Sequence, residues 1–242
     1  AVGGDIKIAN DGHGKWSLPV AIQIAKEMEQ LDIMWQEDLM PLLNPSALRQ
    51  LQDATSTPIC ISERLLTRWQ LREFIENGAA QIVMPDLIWT GGISETHRIA
   101  VMASAHQVPI APHDATGPVN IFACAHICMN SPNAMIMEHV RPYLYGWYGE
   151  FVDPLPLIEH GWLHAPQNPG IGTRLRSEVF DRPDVMLRYS DESVMVSGMN
   201  DEGWDGGDWF NKDMLSEMEQ ITDFRAQGSP ISERMSDSKG GG

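Results

Sequence analysis

Basic residues are scarce in this sequence: 17 Lys and Arg face 33 Asp and Glu over 242 residues, a formal charge of −16. With a pI near 4.7 and no Lys/Arg-rich run, such a surface repels phosphate backbones and anionic lipid, so neither nucleic acid nor a membrane surface is an expected partner. No stretch of 18 apolar residues occurs, and the opening Ala1-Val2-Gly3-Gly4-Asp5 lacks the basic start and apolar run of a secretory signal. A soluble, cytoplasmic protein is expected. Cysteine is nearly absent too. Cys60, Cys124 and Cys128 each lie in an apolar context, with no CxxC pair, which argues for small buried thiols over a disulfide framework or a zinc site.

What charge there is falls unevenly. Residues 191–242 hold 12 acids and 4 bases, net −8, together with eight glycines, whereas residues 1–190 hold 21 and 13. The last stretch reads as an acidic, Gly-rich, poorly ordered tail, and residues 1–190 as the one folded domain.

Those 190 residues alternate short apolar strands with amphipathic helices. The strand candidates are 5–9, 33–36, 59–62, 81–84, 108–111 and 134–137. Helix starts are marked by Asn44 before Pro45, by Thr67 with Gln70 as a capping box, and by Ser94 opening a run to Ala105. Strands and helices in strict alternation predict a parallel α/β sheet of about six strand–helix units.

Each strand candidate is followed by an ionisable residue at a nearly constant interval: Asp11, Glu37, Glu63, Asp86, His113 and Glu138, spaced 26, 26, 23, 27 and 25 residues. That interval is one strand, turn, helix and turn, so all six side chains are expected just past the carboxyl ends of parallel strands, at one mouth of a (β/α) barrel. Asp11, Glu37 and Glu63 would repel one another there unless a cation lay between them, and an all-oxygen set suits Mg²⁺ better than zinc. Asp86 can fix the tautomer of His113 and make it a general base. Glu138 can hydrogen-bond the oxyanion formed when a carbon acid loses its proton. His13, two residues after Asp11, points the same way if the strand continues, and could serve as a general acid. His97, His106, His126, His160 and His164 read as structural or solvated, with His139 undecided.

The segments Asn10-Asp11-Gly12-His13-Gly14, Trp35-Gln36-Glu37-Asp38, Ile61-Ser62-Glu63-Arg64-Leu65, Met84-Pro85-Asp86-Leu87, Gly91-Gly92-Ile93-Ser94-Glu95, Ala111-Pro112-His113, Gly117-Pro118 and Met137-Glu138 together resemble the enolase superfamily. Within it they resemble the mandelate racemase/muconate lactonizing enzyme group, and there the galactonate-type acid-sugar dehydratases. The resemblance implies a TIM-type (β/α) barrel. It implies Mg²⁺ on Asp11, Glu37 and Glu63, a base dyad of Asp86 and His113, Glu138 assisting the intermediate, and His13 protonating the departing hydroxyl of a sugar-acid substrate. A barrel needs about eight strand–helix units and this chain shows six, so a partial barrel is expected, lacking the family's capping domain and first two strands. A homo-oligomer is expected of the full-length protein. The sequence departs from the family where Gln36-Glu37-Asp38-Leu39 replaces a Glu-Glu-Pro motif and where Asp114-Ala115-Thr116 follows the histidine. A racemase or epimerase, or a non-catalytic metal-binding remnant, are the rival readings.

Overall fold

The computed structural model describes residues 5–185, and the acidic segment 191–242 lies outside them. Four short strands, β1 (Asn10–Asp11), β2 (Gln36–Glu37), β3 (Ile59–Ile61) and β4 (Ile82–Val83), pair in parallel and in chain order. Asp11 stands beside Glu37, Glu37 beside Cys60, and Ile61 beside Val83. Parallel neighbours cannot be joined by a tight turn, so each step carries a crossover helix: α1 (Leu18–Met28), α2 (Pro45–Asp53) and α3 (Thr67–Glu76), then α4 (Leu87–Thr90) with α5 (Gly92–Ala105). The ladder continues as single parallel bridges, from Val83 to Ile110 and from Ile110 to Ala134, with α6 (Asn120–Asn130) between those positions. Six sheet positions thus follow one another in sequential order, the last two as single bridges. The chain then forms α7 (Arg141–Gly146) and two small antiparallel pairs, 152–153 with 174–175 and 158–159 with 162–163.

Side chains along the strands divide between two faces at period two. Ile59, Ile61, Val83 and Ile110 join the core packed under the helices, with Ala21, Ala25, Leu48, Leu51, Leu71, Phe74, Ile99 and Ile127. Their neighbours Cys60, Ile82, Met84 and Ala111 form a smaller cluster with Trp35 on the other face. Glu37 follows Trp35 by two residues and accepts a hydrogen bond from its indole Nε1 at 3.1 Å, which fixes the carboxylate to that second face.

Three local expectations are corrected. The first strand lies at Asn10–Asp11, not 5–9, because residues 6–8 are exposed and the ladder takes hold only where Met34 N donates to Ile8 O and Asn10 N to Trp35 O. Helix α3 is preceded by Leu66, not capped by Thr67. Gln70 reaches back to accept from Leu66 N at 2.6 Å, while Thr67, at φ 59, donates its N–H to Thr90 Oγ1. Helix α5 begins at Gly92, two residues before Ser94. The Asn44 cap stands as expected, accepting from Ser46 N and Ala47 N ahead of Pro45. All three cysteines are free thiols; Cys60 and Cys124 are buried and Cys128 partly so.

Helices α3 and α5 are joined by one acidic side chain. Glu95, 9% exposed, accepts from Arg68 N at 2.9 Å and pairs with Arg68 Nη1 at 2.5 Å and Arg98 Nη1 at 3.3 Å. Burial works to raise its pKa, yet these donors outweigh burial and hold it below the ordinary carboxylate value. Replacing Glu95 with Ala leaves a partly buried backbone N–H and a partly buried guanidinium without their acceptor, so Glu95→Ala should lower the unfolding free energy by about 2 kcal/mol. Urea denaturation checks this; a loss below about 0.5 kcal/mol, the range of neutral surface changes, would show the junction to be unimportant.

Candidate active site

The carboxyl ends of the six sheet positions bring the ionisable repeat together on one side of the sheet. Asp86 ends the fourth position and begins α4. Its Oδ1 accepts from Ile88 N at 2.8 Å and Trp89 N at 3.4 Å, as a helix N-cap does. One step on, a parallel bridge sets His113 beside Asp86, and His113 Nδ1 lies 2.7 Å from Asp86 Oδ2. With Asp86 fully buried and His113 9% exposed, the contact leaves Nε2 as the ring's outward nitrogen. Nε2 stands 3.5 Å from Glu138 Oε2 and 4.0 Å from Glu63 Oε2. Trp89 lies alongside the imidazole, ring centres 5.9 Å apart.

On the other side of this group, Asp11 and Glu37 are register partners on β1 and β2. Asp11 is exposed, whereas Glu37 and Glu63 are buried. Asp38, buried behind Glu37, accepts from Ser62 N at 3.2 Å and from the Ser62 hydroxyl, and so ties the end of β2 to the residue preceding Glu63. Among the described residues, no three His, Cys, Asp or Glu side chains are gathered into a group that could hold a metal ion. The three expected ligands therefore share one face without forming a ready coordination sphere.

His13 follows a different course from that expected. The chain turns directly after Asp11: the Asp11 Oδ1 captures the His13 N–H at 2.7 Å, an Asx turn that places His13 at φ 51. The alternation that would aim Asp11 and His13 in one direction ends there. The His13 carbonyl accepts from Arg64 Nη1 at 2.8 Å, and its side chain is exposed. Gly12 permits the turn, for a Cβ there would lie 2.8 Å from Leu39 Cα and 2.9 Å from Asp38 O.

Crowded carboxylates shift the ionisation of the whole group. Burial, then the charges of Asp11 and Asp38, push Glu37 up to about 8. Burial raises Asp38 to about 7 and Asp114 to about 7, and raises Glu138 against the opposing pull of His113. For His113 burial opposes protonation, but the Asp86 hydrogen bond and the charges of Glu138 and Glu63 prevail and lift the imidazole to about 9. His139, half-buried near Arg141, moves the other way. Two of the other histidines bond outside this group, His126 Nε2 to Ile171 O at 3.1 Å and His97 Nδ1 to Asn130 at 3.2 Å.

Sequence reasoning missed three contributors: Asp38, Thr116 and Asn120. Asp38 adjoins a predicted ligand, and a carboxylate directly after an apolar strand was a usable signal. Thr116 and Asn120 lie in and after a loop, where period gives no cue.

The likenesses of this chain to known proteins accord with this geometry. Residues 1–179 match the family described as enolase C-terminal domain-like, whose fold is a TIM barrel. The chain belongs to that family, in the mandelate racemase/muconate lactonizing enzyme group of the enolase superfamily. Its solved relatives include an enolase of the mandelate racemase subgroup from Agrobacterium tumefaciens, with a TM-score of 0.70 and 38% identity over 75% of this chain and 49% of that one. A mandelate racemase/muconate lactonizing enzyme-like protein from Rubrobacter xylanophilus gives 0.68 and 34% over 73% and 45%. Among curated relatives, a D-xylonate dehydratase from Haloferax volcanii is 32% identical over 72% of this chain and 42% of its own length. A D-galactonate dehydratase from Ralstonia pickettii is 32% identical over 80% and 54%. The chain spans about half the length of the curated relatives it matches.

The ionisation of the site sets a pH dependence of stability. Glu37, Asp38 and Asp114 have folded pKa values above their ordinary 4.5, 3.8 and 3.8. Each therefore favours the folded state fully below its ordinary value and loses that contribution as pH rises through 7 to 8. His113, raised from 6.5 to about 9, acts in the same direction between those values. Lowered carboxylates such as Glu95 have made their contribution by about pH 6. In metal-free buffer, the unfolding free energy should fall steadily from pH 6 to pH 9. Denaturant titrations at a series of pH values check this, and a flat or rising profile would contradict the ionisation scheme.

Proposed function

We propose that this chain carries the catalytic mouth of an Mg²⁺-dependent sugar-acid dehydratase, converting an aldonate such as galactonate to a 2-keto-3-deoxy acid. The observation that carries the reading is the buried His113–Asp86 contact at 2.7 Å, whose outward Nε2 faces the carboxylates of Glu138 and Glu63. The names of the curated relatives support the substrate class. We read residues 1–190 as six units of a barrel of about eight, and the whole protein as a homo-oligomer whose partner is a small-molecule sugar acid.

Asp11, Glu37 and Glu63 suit a hard divalent cation in chemistry, and they share one face without a preformed coordination sphere among the described residues. They are all-oxygen donors at or just past the carboxyl ends of successive strands, and burial with the neighbouring charges of Asp11 and Asp38 raises Glu37. Mg²⁺ bound there would supply positive charge that offsets the second negative charge developing on a substrate carboxylate. The Asp86 hydrogen bond, with the charges of Glu138 and Glu63, raises His113 to about 9, and positive charge held among the carboxylates would lower it toward the range of a working base.

In the reaction, His113 Nε2 removes the proton α to the substrate carboxylate, while Asp86 Oδ2 accepts from Nδ1–H and stabilises the imidazolium. Glu138, whose raised pKa favours the protonated form, donates to the developing oxyanion. The electron pair left on the α-carbon forms the new double bond as the β C–O bond breaks. His13 gives its proton to the departing hydroxyl, water leaves, and the enol tautomerises to the 2-keto product. The exposed turn that holds His13 favours a second reading, in which no acid meets the hydroxyl and the proton returns to the α-carbon, as in a racemase or epimerase.

Two experiments test the proposal. Adding Mg²⁺ to the metal-free protein should raise its melting temperature, and more at pH 8 than at pH 5, where Glu37 already holds a proton; equal or absent shifts would remove the metal assignment. In the complete protein with a sugar acid in D₂O, His113→Ala should abolish exchange of the substrate α-proton. His13→Asn should preserve that exchange while lowering 2-keto product formation about 10²- to 10⁴-fold. Undiminished product formation by His13→Asn would take His13 out of the mechanism, and α-proton inversion without product would establish the second reading.

A further inference from the structure

Asp86 Oδ2 accepts two hydrogen bonds: one from His113 at 2.7 Å and one from the Thr116 hydroxyl at 3.3 Å. The Thr116 oxygen in turn accepts from Asn120 Nδ2 at 3.2 Å, in the first turn of α6, and the same amide nitrogen lies 3.3 Å from the His113 carbonyl oxygen. Cys124 Sγ, one helical turn further along α6, is directed at that carbonyl from 3.7 Å. A closed circuit results. It runs from the Asp86 carboxylate through Thr116 and Asn120 to the backbone of His113, and returns through the imidazole. Asn120 is 2% exposed and Asp86 0%, so solvent does not replace a donor lost from this circuit.

We propose that Thr116, held by Asn120, is a positioning residue for the His113–Asp86 dyad. Asp86 Oδ1 is already committed to the N-terminus of α4, which fixes one carboxylate oxygen but leaves the plane free to rock about it. The Thr116 hydroxyl approaches the other oxygen from α6's side, and Asn120 orients that hydroxyl by occupying its lone pair, so that its proton points at Asp86. Both ends of the dyad are thereby referred to one helix: Asp86 through Thr116, and the His113 backbone through the Asn120 amide. A positioning group of this kind governs the direction of Nδ1–H···O⁻ and hence the aim of Nε2, without touching substrate.

The inference rests on the base role given to His113, and the test separates the two. Thr116→Val keeps the shape of the side chain and removes the hydroxyl; Thr116→Ser keeps the hydroxyl; Thr116→Ala serves as a second deletion should Val hinder folding. In the complete protein, Val and Ala should lower the rate of α-proton exchange about 10- to 100-fold with KM changed less than about twofold, and Ser should restore the rate. In the full chain, the low-field proton resonance of His113 Nδ1–H, assigned by its loss in His113→Gln, should move in Val and Ala and return in Ser. Unchanged exchange together with an unmoved resonance would overturn the role of Thr116, as would a change carried by KM alone or a Ser variant that fails to restore either signal. Absence of α-proton exchange in the unmodified protein would instead overturn the base role of His113, while the resonance would still decide whether Thr116 positions the imidazole.

Discussion

Carboxylate charge held out of water is the constraint on which this structure turns. Parallel register alone sets Asp11 beside Glu37 and Asp86 beside His113, and burial of Glu37, Glu63 and Asp86 denies them the solvation that would make such crowding harmless. Each compensating feature of the site answers this problem locally. Trp35 donates to Glu37, Ser62 to Asp38, and two backbone N–H groups to Asp86. Where burial outweighs the donors that reach a carboxylate, its pKa rises instead, as at Glu37 and Asp114. A site so arranged is ready for positive charge, whether a cation or the imidazolium of His113.

Asp86 shows how closely the fold and the chemistry are joined. Its Oδ1 satisfies the first N–H groups of α4, groups that any buried helix start must pair, and its Oδ2 holds the imidazole. The carboxylate is therefore required by the local backbone whether or not His113 is charged, and one of its oxygens is held independently of the imidazole. Such a group serves as an orienting partner better than an exposed one, because part of its own freedom has already been given up.

The sequence made the repeat legible because the fold makes it periodic. One ionisable residue per strand–helix unit can be counted, and the structure sets Asp11 with Glu37, and Glu63, Asp86, His113 and Glu138, at the ends of consecutive sheet positions. The Asn44 cap was equally plain, since the donors it satisfies are local. Strand alternation does not reach His13 because the strand ends at Asp11; an aspartate followed by glycine is also an Asx-turn signal, and the short-range hydrogen bond prevails. The strand at 5–9 was misplaced for a related reason. Its apolar alternation is genuine, but hydrogen bonding to the next strand, which begins only at Ile8, decides where a ladder forms. Thr116 and Asn120 carry no sequence signal because Thr116 acts through a contact to Asp86, 30 residues away, and Asn120 through Thr116 and a backbone carbonyl.

The two faces of the sheet explain how the fold tolerates a mouth of this kind. The helix-side core gathers large aliphatics from every unit, each contributing about 1.5–3 kcal/mol on burial, whereas the opposite face has a small cluster of Trp35, Cys60, Ile82, Met84 and Ala111. Small side chains such as Cys60 and Ala111 pack there with Trp35, and the Trp35 indole donates to Glu37. The apolar layer that stabilises the chain and the polar layer of the proposed site thus alternate residue by residue along the same strands. A shift of register by one residue would exchange them, placing Glu37 beneath the helices and Gln36 at the mouth. The register that buries the helix-side core therefore also aligns the carboxylates.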